Sequence, residues 1–138
     1  MHSGWKIAAL LALAAFALGS LVVGAPYLET ALPGGLPLGN ALAAFGLCAI
    51  AACGASIARR GLVRRLSLLA LLVAMAWLPV SVAMAGNLAL VFSGARGDAW
   101  IAWSAGVAIA TVASLALAVL QRLVLVVWPH VGVSQRER

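Results

Sequence analysis

A chain of 138 residues that is 65% hydrophobic and only 9% charged, with a mean hydropathy of +1.13, lacks the polar surface needed to cover a soluble body; soluble proteins carry about 25% charged residues. Nine Lys and Arg against three Asp and Glu give a net charge of +6 and a pI near 11.2. Apolar runs of about 20 residues recur, the length that carries a helix across a ~30 Å hydrocarbon layer, so the chain is expected to be an all-α integral membrane four-helix bundle filling 1–138 as one domain, with no soluble domain.

The first predicted span runs from Lys6 to Gly24. Its apolar run exceeds the 7–15 residues of a signal-peptide core, and Pro26 would directly follow a cut after Ala25, so the segment reads as retained. An outer loop, 25–38, follows as APYLETALPGGLPL. Three prolines and Gly34-Gly35 make it a bent, non-helical connection. Its leucines make it apolar enough to lie on lipid or a partner, with Tyr27 and Glu29 as its polar handles. The second span, 39–58, holds Cys48 and Cys53. Five helical residues separate them by about 140°, so no bridge between them is expected, and palmitoylation of Cys53 is a minor alternative. A loop at 59–65 then gathers Arg59, Arg60, Arg64 and Arg65.

The third span, 66–90, contains Pro79 near its middle, where the missing N–H should kink the helix. Trp77 lies beside it and Asn87 near the end, and the three together could shape a cavity. A short outer loop with Arg96-Gly97-Asp98 reads as a turn with a local ion pair rather than an adhesion motif. The fourth span, 99–121, leads to Arg122 and an apolar stretch toward Trp128, with Arg122 expected to snorkel its charge to the interface.

Alternating the connections places Lys6, Arg59, Arg60, Arg64, Arg65, Arg122, Arg136 and Arg138 on one side and Arg96, Glu29 and Asp98 on the other. This positive-inside asymmetry predicts both termini in the cytoplasm, and the excess of Arg over Lys with abundant Ala suggests a GC-rich bacterium, hence a bacterial inner membrane. Trp5 and Trp128 then fall at the inner interface, and Tyr27, Trp100 and Trp103 near the outer one. The arginine cluster reads as a topology anchor on anionic lipid, each residue near the leaflet adding about 1 kcal/mol. Without aromatic interleaving or a base-reading element, no nucleic-acid partner is expected.

Helix association in lipid needs close backbone approach. Ala102, Gly106, Ala110, Ser114 and Ala118 recur at four-residue spacing in the fourth span, and Asn40, Ala44, Cys48, Ala52 and Ser56 do so in the second. Spans 2 and 4 are expected to pack through these stripes, so that Gly106→Leu should disrupt the protein more than Gly46→Leu.

No Asp, Glu, Lys or His falls within a predicted span core, whereas proton relays and ion paths use such groups. The chain therefore departs from small multidrug exporters, which depend on a glutamate in the first helix; Glu29 lies beyond that helix. His2 and His130 lie near the termini, no zinc-ligand spacing occurs, and no nucleophile–base set can be assembled. No metal or cofactor is expected. The first reading is a non-catalytic accessory or assembly subunit that packs on a membrane protein or on itself. The alternative is a small oligomeric transporter or channel, its path lined by Asn40, Ser56, Ser81, Asn87, Ser114 and the Pro79 kink. A third is a lipid-interface enzyme using Tyr27, Glu29, Arg96 or the inner arginines.

Overall fold

In a hydrocarbon medium every backbone N–H and C=O must find its partner within the protein, which long apolar segments achieve as helices. The computed structural model describes residues 3–127 and has this form: α1 (Ser3–Val23), α2 (Leu38–Ile57), α3 (Leu62–Ala85) and α4 (Ala95–Val127). All four are long and apolar enough to cross a membrane. His2, Trp128, His130, Arg136 and Arg138 lie outside the described residues.

α2 is the central element and packs against α1, α3 and α4, while α3 and α4 also pack on each other. α1 packs chiefly against α2, so the arrangement is a three-helix cluster with a fourth helix docked on its side. Directions follow from paired residues. Cys53 Sγ lies 3.9 Å from the Ile7 carbonyl, and a Cβ at Gly46 would stand 3.2 Å from Ala17 Cβ, so α1 and α2 are antiparallel. Arg122 reaches Ile57, so α2 and α4 run in the same direction and the end of α2 is level with Arg122. One end of the bundle therefore collects Lys6, Arg59, Arg60, Arg64, Arg65 and Arg122, and the other holds Glu29, Arg96 and Asp98.

The outer helices bury single seams. Ser67, Ala70, Ala74, Trp77 and Ser81 on α3, and Val107, Thr111, Ser114 and Ala118 on α4, are buried at alternating spacings of three and four. That is the period of a continuous helical seam. A strict four-residue row instead drifts 40° per step around a helix of 3.6 residues per turn, so the expected stripe cannot remain on one face. Ser114 and Ala118 face inward, but Ala102, Gly106 and Ala110 are exposed. On α2, Ala44 and Cys48 pack toward the core formed with α3, Ala52 lines a groove beside α1 and α3, and Ser56 is exposed. The two stripes therefore do not meet. α2 approaches α4 instead through Ala51, which shares a core with Val107, and Gly54, where a Cβ would stand 3.3 Å from Leu115 backbone atoms.

Several boundaries differ from expectation. α3 starts at Leu62, four residues before the expected 66, so Arg64 and Arg65 belong to its first turn and not to a 59–65 loop, and α4 runs on past 121 to Val127. α3 stops at Ala85 because Gly86 takes a left-handed conformation (φ 71°) and donates its N–H to the Val82 carbonyl at 2.8 Å, the usual glycine helix stop. α4 begins four residues earlier than expected, with Asp98 in its first turn, where a carboxylate complements the helix dipole. The basic connection between α2 and α3 is only Ala58–Gly61, and Gly61 at φ 120° makes a reversal that a side chain would strain.

These contacts reverse the expected order of two substitutions. Gly46→Leu must displace Ala17 and lift α1 from α2, while the Cβ position of Gly106 is open. Gly46→Leu should cost about 1–3 kcal/mol as an overpacked contact, and Gly106→Leu should be close to neutral. Reversible unfolding in mixed detergent micelles measures both, and equal losses would refute the assignment of the α1–α2 seam.

Candidate functional site

Polar chemistry inside the bundle concentrates between α3 and α4. Each helix carries a Trp followed four residues later by a Ser: Trp77 and Ser81 on α3, Trp100 and Ser104 on α4. Since the helices are antiparallel, the pairs cross. Trp77 Nε1 donates to Ser104 Oγ at 2.9 Å, and Trp100 Nε1 donates to Ser81 Oγ at 3.0 Å. Ser81 in turn donates to the Trp77 carbonyl at 2.6 Å. Phe92 stacks on Trp100 with ring centroids 4.9 Å apart. This clamp satisfies two indoles that would otherwise be costly in an apolar interior. Trp103 Nε1 is also enclosed and has no partner among the described residues.

Trp77 is only 4% exposed, so it fills the core and does not line an open cavity. Pro79, two residues on, faces outward, and its missing N–H falls on the lipid side of α3. Asn87 belongs to the loop after α3. Its Nδ2 donates to the Ala85 and Val91 carbonyls and its Oδ1 accepts from Val91 N–H, each at 3.0 Å. The side chain closes a tight loop around Leu90, whose φ of 55° is unusual for a branched residue. Trp77, Pro79 and Asn87 thus do not form a common cavity. Trp100 and Trp103, near the start of α4, turn their rings into the bundle: Trp100 bonds Ser81 and both pack beside the buried core.

The other polar residues of the hypothetical path are also locally engaged. Ser56 donates to the Ala52 carbonyl and Ser114 to the Thr111 carbonyl. Asn40 stands in the first turn of α2, near the opposite end from Ser56.

The outer loop is more ordered than a bent connection. A 3-10 turn (Pro26–Glu29) is followed by a small hairpin in which Ala31 pairs with Pro37, turned by Gly34 and Gly35 at φ 95° and 87°. Its leucines Leu28, Leu32, Leu36 and Leu38 are half-buried, and Leu28 packs beside Gly39. The Tyr27 hydroxyl hydrogen-bonds Ser20 Oγ, tying the loop to α1, while Glu29 is exposed. Tyr27 and Glu29 are therefore separated in role: the first anchors the loop and the second faces outward.

At the basic end, Arg122 Nε donates to the Ile57 carbonyl at 2.8 Å, and Arg59 N–H donates to Gln121 Oε1 at 3.1 Å. Arg122 thus caps the C-terminus of α2, where unpaired carbonyls and the helix dipole favour a cation. Interfacial snorkelling alone does not describe it. Arg59, Arg60, Arg64 and Arg65 have exposed side chains. Cys53 is fully buried against α1, which removes it as an acylation site, and both Cys48 and Cys53 are free thiols. No group of His, Cys, Asp and Glu among the described residues is placed to hold a metal.

Sequence reasoning missed the crossed clamp, although the repeated Trp-x-x-x-Ser spacing was a visible signal. It also missed the Gln121–Arg122 cap, which joins residues more than sixty positions apart and has no local signature. No protein-family model, curated protein or solved structure matches this chain.

Removing one hydroxyl tests the clamp. Ser104→Ala should cost about 1 kcal/mol by leaving the Trp77 indole unpaired, and much less in a Trp77→Phe background. A double-mutant cycle read by micellar unfolding should therefore give a positive coupling energy, and strict additivity would contradict the hydrogen bond.

Proposed function

We propose that this small multi-pass membrane protein is a non-catalytic accessory or assembly subunit that docks a membrane-associated partner through the end of α4. The observation that carries the proposal is the apolar extension Leu123–Val127. Arg122 is level with the end of α2, yet α4 continues for five residues, all exposed; Val126 and Val127 are 72% and 75% exposed. From Asp98 to Arg122 the helix already rises about 36 Å, more than the ~30 Å hydrocarbon layer. The extension thus leaves the hydrocarbon region while remaining apolar all round, and an uncovered patch of this kind marks an interaction surface. With the positive-inside rule, the basic end and this extension are assigned to the cytoplasmic face of a bacterial inner membrane.

The reading is supported by the way α1 is held. It buries one seam, Ala14, Ala17 and Ser20, against the cluster and leaves Leu11, Phe16 and Leu18 outward for lipid or protein. A transporter built from this chain would need its path between copies, because the polar residues within one chain are separately bonded rather than gathered around a channel.

The test is Val126→Asp. Residue 126 has no role in the bundle's buried seams, so helical content and unfolding midpoint should remain unchanged while the native complex is lost. Mass measurement after extraction from the host membrane in native nanodiscs reads the complex. Persistence of the same complex in the variant, or a wild-type mass of one chain with lipid alone, would remove this reading.

A further inference from the structure

We propose that the outward groove between α3 and α4 at the basic end is a seat for one anionic phospholipid, its acyl chain in the groove and its phosphate on Arg65 and Arg59. The groove has a volume of about 290 Å³ and is lined by Leu66, Leu69 and Val73 from α3 and Ala110, Ala113 and Leu117 from α4. Its lining also includes Ala70 of α3 and Ser114 of α4, and the small side chains at 70, 110, 113 and 114 leave room between Leu66, Leu69, Val73 and Leu117. Leu66 is four residues inside the start of α3, so the groove occupies the half of the bundle next to the arginines.

Charge selects the occupant. Arg59, Arg60, Arg64 and Arg65 crowd this end, while Glu29 and Asp98, the acidic residues of the described segment, are at the other. The arginines therefore have no carboxylate partner at this end among the described residues. Position then separates them. Arg65 is one turn before Leu69 and about 40° from it around α3, whereas Arg64 is a further 100° away from the groove. On α4, Gln121 follows Leu117 by one turn and accepts the Arg59 backbone N–H, which holds the Arg59 backbone beside α4 one turn past the groove lining. Arginine forks also match phosphate oxygens in a two-pronged geometry. An anionic headgroup with an attached hydrocarbon chain is the ligand that satisfies both halves of the site, and it comes from the surrounding leaflet.

The experiment uses the full chain in nanodiscs of mixed phosphatidylglycerol and phosphatidylcholine, followed by native mass spectrometry of the protein with its retained lipid. An arginine at an anionic surface is worth about fivefold in binding. Retained phosphatidylglycerol should fall about fivefold in Arg65→Gln and less than about twofold in Arg64→Gln. Ala113→Phe, which fills the groove from an exposed position, should lower retention by a similar factor with every arginine present; Ala110→Leu serves the same purpose with a smaller side chain. Circular dichroism verifies the helices in each variant. Equal loss in the two arginine variants would mean a diffuse surface potential and overturn the seat. So would unchanged retention in both folded groove-filling variants, or a drop in oligomer mass without lipid loss, which would assign the groove to a second copy of the chain.

Discussion

The structure depends on how closely the backbone of α2 can be approached. In lipid, burying apolar area does not draw helices together, and packing and internal hydrogen bonds must do so. α2 meets this constraint with Gly46 toward α1, Gly54 toward α4 and Ala51 in the shared core, each without a bulky side chain at the contact. Three neighbours can then gather on one helix. The outer helices need only one narrow seam each, and their remaining surfaces are free to carry Leu, Val and Phe into the bilayer.

Polar groups are used sparingly, at places where helix packing alone would leave orientation poorly specified. The crossed indole–serine pairs fix the register of α3 against α4, since a slip of either helix would unpair both. Gln121 and Arg122 fix the end of α2 relative to α4: Arg122 bonds the Ile57 carbonyl that the helix terminus leaves unsatisfied, and Gln121 accepts the Arg59 N–H of the connection just beyond. At the opposite end, Asn87 and the Tyr27–Ser20 contact close the connections. A Cβ at Gly34 would stand 3.4 Å from Leu88 Cδ1, so these two connections also touch each other. Side-chain bonding between elements thus sits near the ends and in one interhelical layer, with close-packed small residues between.

The outward surfaces carry the features that packing within one chain leaves uncovered: the exposed apolar residues 123–127 at the end of α4, the groove beside the arginine-rich end, and the outer face of the side-docked α1. Two contacts shape the basic end: Arg122 bonds the terminal carbonyl of α2, and Gly61 permits the short reversal that brings the arginines together.

The sequence by itself determined the helical class, the four spans and the charge asymmetry, because run length, hydropathy and charge are properties of local segments in a low-dielectric medium. The end of α3 was also legible in Gly86-Asn87, a helix stop signal obscured by the apolar residues that follow. Only the tertiary structure decided which small residues face a neighbour. A glycine at 46 and one at 106 look alike in sequence, but one meets Ala17 and the other open surface. The same holds for Trp77 with Ser104 and for Arg122 with Ile57, whose pairings depend on the rotation and axial shift of whole helices. Those quantities emerge from the mutual fit of all the seams, and no local stretch of sequence encodes them.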